Sequence, residues 1–256
     1  MSPNQKPHLV LCELTDPGLP GVESYSPFCL KVHRALRTAG LSYERRHANR
    51  PDAFRNFNPT RQVPVLLVDG EPIADSTRIL HRIEGLTHAL TRGQTPQARA
   101  EAWLWEELAD GALSAHVVSA RWADERNWPL TRDALFAQAP WPVRRVVAPQ
   151  IRKGILRALV ARDVMRAGWP ACWSRFLTLL DQLDQRAPQA GFWLGDLLCV
   201  ADLALFAQLH SFRTPLTPAQ AQELAKRAKL SAYVDRVNAA TSDHAKTDML
   251  RAHVGA

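Results

Sequence analysis

Val63-Pro64-Val65-Leu66-Leu67-Val68-Asp69-Gly70-Glu71-Pro72-Ile73-Ala74-Asp75-Ser76 is the stretch whose reading decides the fold. Val63 to Val68 is a compact apolar strand, Asp69-Gly70 is a strong two-residue hairpin signal, and Glu71 to Ala74 supplies the return strand. A helix then begins near Ser76 and runs to about Leu90. Upstream, the same reading gives a short helix at Asp52 to Phe57, a strand at Ser42 to His47, a helix at Pro27 to Ala39 and a first strand at His8 to Leu14. Thr15 to Ser24, with Pro17, Gly18, Pro20 and Gly21, is the loop between that strand and that helix. The order βαβαββα predicts a small mixed sheet with helices packed against it.

Downstream of Thr95 the pattern changes to helical period with no convincing strand. Gln97 to about Asp124 reads as one long helix with Trp103, Leu104, Leu108, Leu113 and Val117 on its apolar side. Further helices are expected at Pro170 to Arg186, Val200 to Phe212 and Pro218 to Ala240, and all eight tryptophans lie in this portion. Gly85, Gly93 and Pro96 punctuate the junction. The expected organisation is a first domain at 1–84, a linker at 85–96 and an all-helical second domain at 97–256.

Composition narrows the functional classes. The 256 residues suit two small domains sharing an interface, and a hydrophobic content of 46% supplies a sizeable core. No run of about 18 apolar residues appears, and Met1-Ser2-Pro3-Asn4-Gln5-Lys6-Pro7 lacks the apolar segment of a signal peptide. The expectation is a soluble, cytoplasmic protein. Cys12, Cys29, Cys172 and Cys199 form no C-x-x-C pair and have no metal-ligand spacing among the nine histidines, so no metal is expected. The net charge of +7 is concentrated between Arg144 and Arg166, where seven Arg or Lys face a single acid, Asp163. Val147, Ile151, Ile155, Leu159 and Val160 interleave with those cations, giving a basic amphipathic helix. A solvated face on a packed helix explains it, and so does a surface for an anionic partner or membrane. No nucleic-acid module is recognisable.

Chemistry enters at Tyr25-Ser26-Pro27-Phe28-Cys29-Leu30-Lys31. Pro27 suits the first helical position, which makes Ser26 the N-cap, and Gly40 closes the helix. A hydroxyl so placed lies at the positive end of a helix dipole beside free N–H donors, a position that favours an anion such as a thiolate brought in by a ligand. Capping alone also accounts for Ser26.

The chain resembles the glutathione transferase superfamily in four correctly ordered segments. Ser26-Pro27-Phe28-Cys29-Leu30-Lys31-Val32 is similar to the first active-site helix of serine-type members. Asn58-Pro59-Thr60-Arg61-Gln62-Val63-Pro64 is similar to the family's Asn-Pro-x-Gly-x-Val-Pro, and Ile73-Ala74-Asp75-Ser76 to its Glu/Gln-Ser segment. Phe192-Trp193-Leu194-Gly195-Asp196-Leu197-Leu198-Cys199-Val200-Ala201-Asp202 is similar to the buried capping box of the helical domain, a folding device with Cys199 as N-cap and Asp202 at N3. The resemblance implies an α+β thioredoxin-like domain with a four-stranded mixed sheet, then an all-α helical bundle. It implies a protein that binds glutathione and activates its thiol for attack on a hydrophobic electrophile. Ser26 would donate to the thiolate, Val63 before a cis Pro64 would hold the cysteinyl part, and Asp75 and Ser76 would grip the γ-glutamyl end. A homodimer is implied as well. Arg121-Trp122-Ala123-Asp124-Glu125-Arg126-Asn127-Trp128-Pro129, followed by the basic helix, resembles bacterial relatives of the metaxin and failed-axon-connections group.

Several positions depart from the pattern. Arg61 stands where the family has glycine, so a backbone with φ > 0 is disfavoured there; in a turn of another type Arg61 would reach a ligand carboxylate. Asp75 is one methylene shorter than the usual residue, and the loop before Ser26 is longer than the family's. The acceptor wall is expected from Trp103, His116, Arg121 and Trp122. Two alternatives to the transferase reading stand: a glutathione-dependent reductase using Cys29, and a non-catalytic binding protein docking an anionic surface through its basic helix.

Overall fold

The computed structural model describes residues 7–19, 22–48, 50–137 and 139–242. The signal-peptide reading of the first residues, and Pro20 and Gly21 of the loop, lie outside the described residues. Strands β1 (Leu9–Leu14), β2 (Glu44–Ala48), β3 (Val65–Val68) and β4 (Glu71–Ala74) form one sheet in the order β2-β1-β3-β4. β1 pairs β2 in parallel and β3 antiparallel, and β3 pairs β4 antiparallel. β3 and the first four residues of the central strand β1 are apolar on both faces, as strands covered on both sides must be. Pro72 sits on the edge strand β4, where the missing N–H costs no ladder bond. Asp69 and Gly70 both have positive φ, 53° and 90°, the signature of a type I′ turn.

Helix α1 (Pro27–Thr38) is capped at both ends by the residues expected. Ser26 Oγ accepts the Cys29 N–H at 3.3 Å. At the other end Gly40 N–H reaches Arg37 O and Leu41 N–H reaches Leu36 O, a Schellman closure that requires the positive φ of Gly40. A 3₁₀ turn at Pro51–Phe54 replaces the expected short helix. Helix α2 (Ser76–Thr87) stops before Leu90, because His88 turns left-handed at φ 53°.

The remainder is helical. The expected single helix at 97–124 is α3 (Pro96–Leu108), a π turn at Ala109–Leu113, and α4 (Ser114–Trp122). Its apolar side is also different: Leu113 and Val117 are buried, but Leu104 is 70% exposed. Helix α5 (Trp128–Leu135) was not anticipated; Pro129 in its first turn is its start signal. The basic segment is a π turn at Val143–Val147 followed by α6 (Ala148–Ala161), and α7 spans Gly168–Arg186. Helix α8 (Val200–Phe212) is buried on nearly every side and packs against α1, α3 and α10. The expected helix at 218–240 is broken into α9 (Pro218–Ala225) and α10 (Ala228–Thr241). The capping box is present. The buried Asp202 carboxylate accepts from Cys199 N–H at 2.9 Å, from Trp193 N–H at 2.7 Å and from Tyr233 O–H at 2.7 Å, tying α8 to α10.

Arg61 corrects the expectation drawn from its side chain. Its φ is 60°, so the left-handed turn is kept without glycine. Asn58 holds it there: Nδ2 donates to Gln62 O at 2.9 Å, Oδ1 accepts from Thr60 N–H at 3.1 Å, and Asn58 O accepts from Arg61 N–H at 2.9 Å. A left-handed L-residue costs about 1–2 kcal/mol. Arg61→Gly is therefore expected to raise the unfolding free energy by about 1 kcal/mol, read as a higher urea midpoint at unchanged slope. Arg61→Ala should give no such gain.

Candidate functional site

The Val63–Pro64 bond is cis, and both residues precede the β3 ladder, whose pairing begins at Val65. The Val63 peptide groups therefore lie outside the sheet's hydrogen bonding and border an open cavity of about 730 Å³. Asp75 caps α2 across from them. Its side chain accepts the Arg78 N–H at 3.0 Å and its φ is 80°, a strained value for a residue with a Cβ. Ser76 opens α2, so its hydroxyl and the unpaired amides of the first turn face the same cavity. Val63, Pro64, Asp75 and Ser76 thus share one site. Arg61 is exposed and does not line it.

The far wall comes from the helical part of the chain. Glu107, Asp110 and Gly111 line it from the end of α3 and the π turn, and Arg162 lines it from just beyond α6. Beneath that wall Lys31 of α1 is fully buried between Glu106, at 2.5 Å, and Asp110. Thr77 Oγ1 donates to Glu106 at 2.8 Å, and Ser76 Oγ donates to Asp110 at 3.4 Å. Burial pushes the Glu106 carboxyl above the usual carboxylate range, against the pull of Lys31. This cluster was missed in the sequence. Its signal is a lysine between Leu30 and Val32 on a helix whose neighbours are core, together with two acids four residues apart.

Ser26 does not line this cavity, although Phe28 of the same helical turn does. Ser26 opens on a second cavity of about 310 Å³, shared with Tyr25, Leu14 and Pro17 and closed by Ala134, Leu135 and Ala137. The long loop forms part of that wall, and none of its described residues lines the first cavity. Arg45 anchors the loop, donating to Asp16 at 2.7 Å and to Glu23 O at 2.7 Å, while Arg34 donates to Glu23 at 3.2 Å. Glu13, fully buried under the loop, accepts from Arg45 at 2.6 Å and pairs with His33 at 2.9 Å. Burial raises the Glu13 carboxyl, but the hydrogen bonds and charges of His33 and Arg45 outweigh it and hold the group below the usual range.

The expected acceptor wall is not assembled. Trp103 stacks on His81, and Trp122 packs against Trp128. His116 lies in the interior, 3.7 Å from Cys172 Sγ; burial pushes its imidazole down to about 4, and the Cys172 thiol is raised by burial, so the pair stays neutral. Arg121 is buried and donates to Tyr25 O and Ser211 O, which fixes the backbone just before Ser26. Cys29 is buried, and desolvation pushes its thiol up to about 12, the opposite of what a thiolate nucleophile needs.

The family model described as "Glutathione S-transferase N-terminal domain" matches residues 27–127, and that described as "Glutathione S-transferase, C-terminal domain" matches residues 148–236. A curated relative, glutathione transferase GST 23 of Zea mays, is 35% identical over 97 residues, which are 35% of this chain and 43% of that protein. The chain spans less than half the length of the curated relatives it matches. Among solved structures, a beta-etherase from Sphingobium sp. strain SYK-6 superposes with a TM-score of 0.63 at 22% identity, covering 90% of this chain and 95% of that one. A glutathione transferase family member from Pseudomonas fluorescens, solved with two glutathione molecules bound, gives 0.59 at 15% identity, covering 90% and 87%. These structural likenesses concern the fold.

Proposed function

Because the chain belongs to the glutathione S-transferase superfamily, we propose that it is a glutathione transferase whose tripeptide occupies the larger cavity and whose thiol reacts beside Ser26. The observation that carries this reading is the meeting of Val63, cis Pro64, Asp75 and Ser76 on one cavity at the N-terminus of α2. Its donor set fits the ligand's chemistry. Ser76 and the first-turn amides offer donors to a carboxylate, Asp75 offers an acceptor to an ammonium, and the Val63 peptide suits a peptide partner. The volume falls within the range of about 300–1,000 Å³ usual for small-molecule sites.

A hydroxyl that caps by accepting still carries a proton to give. Ser26 would donate it as a hydrogen bond to the glutathione sulfur at the positive end of α1, favouring the thiolate, whose proton passes to solvent. The thiolate then forms the new C–S bond with an electrophile as the leaving group departs with the bonding pair. Leu14, Pro17, Ala134, Leu135 and Ala137 line the smaller cavity, so the hydrophobic acceptor would bind there, in a cavity that Trp103, His116, Arg121 and Trp122 do not line. The buried, protonated Cys29 weighs against the reductase reading. A first domain at 1–84 and a helical domain at 97–256 joined by residues 85–96, a cytoplasmic location and a homodimer belong to the same proposal. The exposed Leu104 and Leu108 on α3 supply an apolar face for that dimer.

Calorimetric titration with glutathione tests the reading. Binding in the micromolar to millimolar range is expected, and Ser76→Ala should weaken it about tenfold, the equivalent of one hydrogen bond to a charged group. Absence of binding at millimolar glutathione would overturn the proposal.

A further inference from the structure

The basic segment is amphipathic in an unexpected sense, because most of its apolar residues face outward. Of Val147, Ile151, Ile155, Leu159 and Val160, Leu159 is buried, Ile155 packs half-buried beside it, and the other three are exposed. Helix α6 is held to the protein by Ala148 and Leu159 and by Arg152, which donates to Trp122 O at 2.7 Å and to Glu125 at 2.6 Å. On the opposite side Val146, Gln150, Lys153, Arg157 and Val160 follow one another at spacings of four and three and are all exposed, with Val147 and Ile151 exposed in the adjacent row. Val146 is 62% exposed. Just before it Trp141 is 67% exposed, and the Arg145 guanidinium lies 5.2 Å from its ring centroid.

We propose that this outer face, from Trp141 to Val160, is a peripheral binding surface for an anionic lipid bilayer. Arg145, Lys153 and Arg157 are exposed on this face, and no acid occurs between 141 and 160, so its charge complements a negative surface. The same charge would repel a second copy of the face in a two-fold contact, where each cation meets its own kind. A nucleic acid would satisfy the cations but leave Trp141, Val146, Val147 and Ile151 beside a polar backbone. A bilayer interface satisfies both sets: Lys153, Arg157 and Arg145 lie at phosphate level while Trp141 and the branched aliphatics enter the headgroup–acyl boundary. Among the described residues no helix is long and apolar enough to cross a membrane, so the contact is one of lying on the surface. The inference does not depend on glutathione binding, because Trp141, Lys153 and Arg157 line neither of the two cavities assigned above.

Cosedimentation of the full chain with vesicles tests it. The chain is expected to pellet with vesicles of phosphatidylcholine and phosphatidylglycerol in equal parts and to stay in solution with phosphatidylcholine alone. Binding should weaken as salt shortens the screening length. Lys153→Glu with Arg157→Glu should lower the partition at least about tenfold, each cation near the surface contributing severalfold. Trp141→Ala should abolish the fraction that survives high salt. Unchanged thermal unfolding and glutathione titration in both variants confirm that they are folded. No binding to the anionic vesicles, equal binding to neutral ones, or indifference to the Lys153 and Arg157 changes overturns the proposal. Retention by duplex DNA without retention by vesicles overturns it in favour of a nucleic acid.

Discussion

Lys31→Met is expected to lower the unfolding free energy by about 3–5 kcal/mol, the cost of breaking a buried ion pair by removing one partner. Lys31 is fully buried and is the cation that both Glu106 and Asp110 meet. Without it two acids remain in a poorly solvated space; burial already drives the Glu106 carboxyl upward, and Asp110 adds to that rise while Lys31 opposes it. Denaturant unfolding at neutral pH measures the loss, and a loss below about 1 kcal/mol would contradict this account. Lys31→Met combined with Glu106→Gln and Asp110→Asn should recover much of it, because the uncompensated charges go too. The single variant should also bind glutathione less well, since Ser76 and Thr77 donate to the two acids that Lys31 holds.

Ser26→Ala should reduce kcat/KM for a conjugation reaction about 100-fold, the scale for removing one donor from a developing or bound anion. The same change removes a helix cap at a cost of about 1 kcal/mol, so the variant stays folded. The two effects separate in measurement. Thiolate absorbance of bound glutathione should titrate at higher pH in Ser26→Ala, a shift that a purely capping serine would not produce. Unaltered titration together with unaltered kcat/KM would remove Ser26 from the reaction. Cys29→Ala, by contrast, is expected to leave both readouts unchanged, because the thiol is buried and protonated at neutral pH.

The elements that were legible in the sequence are those specified within a few residues of themselves. The Asp69-Gly70 turn, the Ser26 and Gly40 ends of α1 and the Cys199 to Asp202 box each carry their own start or stop chemistry. Features that depend on distant partners were not legible. Arg61 takes a glycine conformation because Asn58 braces both sides of the turn, an arrangement that a rule about side chains does not contain. The helical period of 218–240 continues across a break at 226–227 that apolar spacing alone does not mark. Val147, Ile151 and Val160 fit the pattern of a packed stripe, yet the packing side of α6 is set by Arg152 and Leu159. For the site, Asp75 and Ser76 were picked out by the resemblance of Ile73-Ala74-Asp75-Ser76 to a family segment, since opening a helix is by itself explained by capping. Glu106 and Asp110 were not, since nothing local shows that Lys31 lies against them.

The π turn between α3 and α4 joins the pair into one continuous helix. A regular helix turns once every 3.6 residues, so a wider turn advances its angular count by most of one residue. Ala102, Glu106, Ala109, Leu113 and Val117 are buried in turn, at spacings of four, three, four and four, so one inward face runs through the turn. That single face brings Glu106 and Asp110 to Lys31 and sets the aliphatics of α4 on the core. Losing one residue here, Gly111 for instance, would reset the phase and force the chain to choose between its ligand wall and its interior.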